Sequence, residues 1–124
     1  MSHAQATHPP DGELTASISN MVVRTLSEYT GRGPTKARSY VNGDLVVVLL
    51  QDTLTKGERS LARGGEHHRV LDTRKAYQRT MRDELESGIL ALTGRRVIAF
   101  MSDNHIDPDM GVEVFVLESN GAGR

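Results

Sequence analysis

The chain has 124 residues, 25% of them charged and 37% hydrophobic, with a formal net charge of −1 and no cysteine. This length suits one domain around a single core, and the near-zero net charge gives no global pull toward nucleic acid or acidic membranes. The lack of cysteine excludes disulfides, thiolate zinc sites and a cysteine nucleophile, and it fits a reducing cytosol.

The opening "MSHAQATHPPDG" has no apolar core of the kind a signal peptide needs. No apolar run approaches the ~18 residues of a membrane helix. The expectation is a cytoplasmic protein without direct membrane insertion, held at the inner face of a membrane only through a partner. Residues 1–10 and 119–124 are polar or small and are expected to be flexible tails around one domain over 11–118.

From Glu13 onward, Leu14, Ile18, Met21, Val22, Leu26 and Tyr29 recur at helical spacing, which predicts a helix over about 12–30. Gly31, Gly33 and Pro34 are its stop signal. Asn42-Gly43 predicts a two-residue hairpin between strands over 35–41 and 44–51. Ala37, Ser39 and Val41 then share a face with Val46, Val48 and Leu50, while Lys36, Arg38 and Tyr40 share the other with Leu45, Val47 and Leu49. Thr55-Lys56-Gly57-Glu58 is a capping-box pattern and predicts a second helix starting at Thr55. Gly64-Gly65 interrupts it. A long helix follows to about Leu92, with Val70, Tyr77, Met81, Leu85 and Leu92 on its buried side. "RRVIAFMS" and "GVEVFVLE" predict two more strands, with 103–110 connecting them. The order α-β-β-α-α-β-β makes the fold class α+β, with helices packed on a four-stranded antiparallel or mixed sheet.

Three stretches invite a chemical reading. "MSDNHIDPD" (101–109) alternates Asp103, His105, Asp107 and Asp109 like a calcium loop, but its sixth position is Pro108 and its twelfth is Val114, where the pattern needs Gly and Glu. Asp, Asn and Pro are also ordinary turn formers, so a strand connection is expected, with no metal. "YTGRGPTKAR" (29–38) has glycines and three cations that suit an anion, but not the spacing of a P-loop. Its glycines equally end a helix. Lys75, Arg79 and Arg82 fall at i, i+4, i+7 and form a basic stripe on the long helix. Its plainest use is a solvated face. No catalytic signature, metal site or cofactor is read from the chain.

The blocks "ISNMVVRTLSEYTGRGPTKARSYVNGDLVVVLLQDTLTKGER" and "RKAYQRTMRDELESGILALTGRRVIAFMSDNHIDPDMGVEVFVLE" closely resemble the MpsC-like family over about residues 13–118. The family takes its name from a component of a sodium-translocating, membrane-potential-generating system. In that system the membrane partner resembles an ion-pumping subunit of respiratory complex I, and related pairs are tied to uptake of inorganic carbon. The resemblance rests on Tyr29 and Gly31 to Lys36, on Leu54, Thr55 and Glu58, and on Met101 to Asn104. It implies a non-enzymatic accessory protein and a membrane transport subunit as partner; it brings no catalytic residues with it.

The candidate binding surface drawn from these blocks comprises Tyr29, Arg32, Gly33, Thr35, Lys36 and Arg38 from the first loop. Ser102, Asp103, Asn104 and His105 come from the last. An anion- or RNA-binding module using the GRGPTK loop and the basic stripe is the alternative. The net charge, 4% aromatic content and lack of a G-x-x-G clamp weigh against nucleic acid. A homodimer is also expected. Strand 44–51 and the last two strands are apolar on both faces, whereas a sheet half-open to water alternates apolar with polar.

Overall fold

The structure is a computed structural model and describes residues 11–119. The expected tail 1–10 and residues 120–124 lie outside the described residues. Its elements are three helices, α1 (Asp11–Thr30), α2 (Lys56–Arg63) and α3 (His67–Thr93), and four strands, β1 (Lys36–Asn42), β2 (Leu45–Gln51), β3 (Val97–His105) and β4 (Met110–Leu117). The sheet order is β1-β2-β4-β3 and every pairing is antiparallel. The fold is α+β in the expected element order, with the sheet wholly antiparallel.

Local chemistry explains the element ends. Gly31, at φ +80°, donates to Ser27 O and stops α1. Thr55 Oγ1 accepts from Glu58 N–H while Glu58 Oε1 accepts from Thr55 N–H, so α2 opens on a complete capping box. Gly94, at φ +74°, closes α3 by donating to Leu90 O at 2.8 Å.

Two local expectations are corrected. The β1–β2 turn centres on Gly43-Asp44, one residue later than Asn42-Gly43, because only Gly43 takes positive φ. Moving the centre by one residue shifts the register by two, so the face assignment survives. The β3–β4 connection is only 106–109. Asp103, Asn104 and His105 belong to β3, paired with Val112, Gly111 and Met110. An irregularity between Val97 and Ala99 also breaks simple alternation at the start of β3.

α2 packs against α3, and α1 and α3 lie on one sheet face. There Val46, Val48 and Leu50 of β2 and Phe115 and Leu117 of β4 pack with Ile18, Val22, Leu26, Met81, Leu85 and Ile89 of the helices. Phe100 stacks on Phe115 with ring centroids 5.1 Å apart. Among the described residues no helix covers the opposite face. Its side chains are half-buried at the centre and open at the edges, where Tyr40, Met101 and Ile98 are 51, 52 and 60% exposed.

Candidate functional site

The loop 31–35, the β2–α2 loop 52–55 and the turn 106–109 meet at one end of the sheet, where β2 and β4 pair through Gln51 and Met110. Asp52 is the hinge of this end. It is the one non-glycine of the described residues with positive φ, at 59°. Arg32 clamps it, donating to Asp52 Oδ2 at 2.8 Å, to the Asp52 carbonyl, and to Leu54 O at 3.2 Å. Arg59 donates to Asp52 Oδ1 at 3.1 Å from the first turns of α2. The hydrogen bond from Arg32 holds the Asp52 carboxyl below its usual value against the opposing effect of desolvation, with Thr35 and the charges of Arg32 and Arg59 adding to the pull.

Asp109 performs the second clamp. Its Oδ1 accepts from Thr53 N–H at 3.0 Å and Thr53 Oγ1 at 3.1 Å, and its Oδ2 from Leu54 N–H at 3.0 Å. A carboxylate with this many donors ties the β3–β4 turn to the β2–α2 loop. His105 Nδ1 lies 2.8 Å from Pro108 O, and the Asp103 carboxylate accepts from Asn104 N–H. These groups therefore serve the turn and its neighbours. Among the described residues no group of three or more His, Asp or Glu is arranged to hold a metal ion.

Beneath the loops lies a buried polar layer. Arg74 of α3 bonds Glu58 through Nε at 2.9 Å and Nη2 at 2.6 Å, and Nη2 also reaches Thr53 O at 2.6 Å. Glu58, the capping-box carboxylate, thereby links α2 to α3. Next to it Glu113 points inward from β4 and is 4% exposed. Among the described residues neither its Oε1 nor the neighbouring Ser102 Oγ makes a well-formed hydrogen bond. Burial pushes the Glu113 carboxyl up to about 7; the pull of Ser102 and Arg74 opposes this without cancelling it. A cavity of about 10 Å³ touches Glu113, Arg74, Gln78, Asn104 and Thr53, room for about one water.

The candidate residues do not converge on one spot. Arg32 and Thr35 surround Asp52, while Gly33 sits where a Cβ would lie 3.2 Å from Val23 Cγ1, so it permits the loop to approach α1. Tyr29 donates to Glu84 Oε1 of α3 at 3.0 Å. Ser102 and Asn104 face inward, Asn104 Oδ1 accepting from Gln78 at 3.2 Å. Lys36, Arg38, Asp103 and His105 all project from the uncovered sheet face, but from β1 and β3, its opposite edges.

Asp52, Arg59, Arg74 and Glu113 are absent from the residues singled out by sequence, and Asp109 is read there only as part of a turn. Two of them carry a readable sign. Arg74 lies four residues after buried Val70 and seven before buried Met81, on the apolar stripe of α3. Glu113 alternates with Phe115 and Leu117 on the inward side of β4. The others meet only through loop packing.

Fold and site together describe a small two-layer α+β domain whose charged loops brace one end of an antiparallel sheet. The chain belongs to the MpsC family: the family model described as "Na+-translocating membrane potential-generating system (MpsC)" matches residues 10–119. Comparison with curated proteins and with solved structures gives no match.

Proposed function

We propose that this protein is a non-enzymatic accessory subunit, acting on the cytoplasmic side of a membrane ion or inorganic-carbon transport system by binding its membrane subunit. The observation that carries this reading is the family match across nearly the whole domain, named for a membrane-potential-generating system. Among the described residues no helix is long and apolar enough to cross a membrane. A part in such a system is then played through contact with another chain.

The braced end supports the reading. Its groups neutralise one another in ion pairs and caps, an arrangement that holds loops in place for docking. The alternative, anion or RNA binding by the GRGPTK loop, is weakened by the same geometry. Arg32 is turned onto Asp52 and Leu54, and Arg82 of the basic stripe is paired with Glu86 at 2.8 Å.

Affinity capture from native membranes of the source cells, with mass spectrometry, tests the proposal. Enrichment of an ion-transport membrane subunit over an untagged control is expected. Capture without such a subunit, together with heparin retention that weakens steeply with salt, would overturn it in favour of the alternative.

A further inference from the structure

The uncovered sheet face has a regular layout. The pairings place Lys36, Gln51, Met110 and His105 in one row across the four strands, and Arg38, Leu49, Val112 and Asp103 in the next. Tyr40, Val47, Val114 and Met101 form the third row, and Asn42, Leu45, Val116 and Ala99 the fourth. The middle columns are thus apolar over three rows. Charge sits only on the outer columns, and unequally: Lys36 and Arg38 on β1, Asp103 beside His105 on β3. Among the described residues neither Lys36 nor Arg38 makes an ion pair, and Asp103 contacts only its neighbour's amide.

We infer that this face is covered by a second copy of the same chain, stacked face to face about a two-fold axis that runs parallel to the strands between β2 and β4. Such an axis exchanges left and right but leaves the rows in place. It sets β1 over β3 of the second copy, so Arg38 meets the Asp103 of that copy, twice by symmetry. Leu49 then meets Val112 and Val47 meets Val114, apolar on apolar. A two-fold axis across the strands would instead keep β1 over β1 and invert the rows, bringing Arg38 to Tyr40 and leaving Asp103 without a cation. Complementary charge therefore selects the first arrangement.

The size agrees. Four strands about 4.8 Å apart and four rows about 6.8 Å apart cover roughly 500 Å² per copy. Two such footprints reach the ~1,000 Å² that a specific interface needs, and aligned sheets about 10 Å apart leave space for these side chains to interdigitate. Arginine is long enough to follow the ~30° rotation usual between aligned sheets.

Sedimentation equilibrium of the purified full chain at low micromolar concentration tests this without any membrane component, so it stands or falls apart from the proposed function. The expected mass is twice 13.6 kDa. Val114→Glu, in the middle of the face and outside the core, is expected to give a monomer with an unchanged circular dichroism spectrum. Arg38→Glu and Asp103→Arg are each expected to raise the dimer Kd about tenfold or more, and the double reversal to return it to within about threefold of the parent. A monomeric parent overturns the inference, as does a dimer indifferent to Val114→Glu. Charge reversals that do not rescue each other overturn the strand-parallel axis.

Discussion

Arg74 and Glu58 form a two-pronged ion pair inside the domain, with Nε–Oε2 at 2.9 Å and Nη2–Oε1 at 2.6 Å and side chains only 5 and 8% exposed. The pair joins a helix cap to the long helix, and Arg74 also satisfies the Thr53 carbonyl. Removing one partner leaves a buried charge without its counterion, which costs about 3–5 kcal/mol. Arg74→Met is therefore expected to lower the unfolding free energy read from urea denaturation by that amount. Arg74→Met with Glu58→Leu is expected to cost less than the sum of the two single changes, because no lone charge remains. Additive losses in that cycle would mean the pair is not coupled.

A second brace lies nearer the surface. Arg32 holds the Asp52 carboxylate and the carbonyls of Asp52 and Leu54, so Arg32→Ala releases two carbonyls and is expected to cost about 1–2 kcal/mol. Asp52 supplies a pH signature. Its carboxyl is held below its ordinary value of 3.8, first by the Arg32 hydrogen bond. A group with a depressed folded pKa stabilises above its unfolded value and loses that contribution as pH falls through the folded one. Asp52→Asn is thus expected to lower the melting temperature at pH 7 and to flatten its decline below about pH 4. A variant as acid-sensitive as the parent would dismiss the brace.

Much of this architecture is legible in sequence where the signal is local. The period of Ile18, Val22 and Leu26, the Thr55-Glu58 box and Gly94 each determine a structure within a few residues, and the structure follows them. The two-faced apolar strands likewise announce a face that the chain's own helices leave open. What is not legible depends on packing. Asp103 to His105 read as turn because Asp and Asn favour turns, yet β4 supplies partners that keep them in a strand. Arg32 reads as a free cation of a glycine loop, but Asp52, twenty residues on, claims it. Asp109 reads as part of a turn and serves as a clamp on residues more than fifty positions away.

Gly88 marks a close approach of α1 and α3. A Cβ there would stand 2.8 Å from Met21 Cγ and 2.9 Å from its Cε. Methionine is flexible and can move aside, and alanine gains about 1 kcal/mol of helix propensity over glycine. Gly88→Ala is therefore expected to be near neutral, whereas Gly88→Val forces the helices apart and costs about 1–3 kcal/mol. In a Met21→Ala background the clash is gone, and Gly88→Ala is expected to stabilise by up to about 1 kcal/mol. Thermal denaturation of the four variants checks the order. A stabilising Gly88→Val would show that the helices are not in contact there.

Glu113 is expected to make the fold less stable as the pH rises from acidic to neutral. It sits on the inward side of β4 between Phe115 and Gly111, 4% exposed, with no well-formed hydrogen bond to Oε1 among the described residues. Burial raises its carboxyl from 4.5 to about 7, and the opposing pull of Ser102 on β3 and Arg74 on α3 is the smaller effect. The sign follows from proton binding. Between pH 4.5 and 7 the folded chain keeps a proton that the unfolded chain has released, so stability falls as pH rises through this window. Above it the full penalty is present, on the order of 3 kcal/mol for a shift of this size. Glu113→Gln keeps the shape and removes the charge. It is expected to match the parent near pH 4.5, to exceed it by up to about 3 kcal/mol at pH 8, and to flatten the slope between. Urea denaturation of both proteins at half-unit steps from pH 4.5 to 8.5 reads this directly. Parallel stability curves over that range would show that the Glu113 carboxylate ionises without cost, stabilised by a group that reaches it only in the charged state.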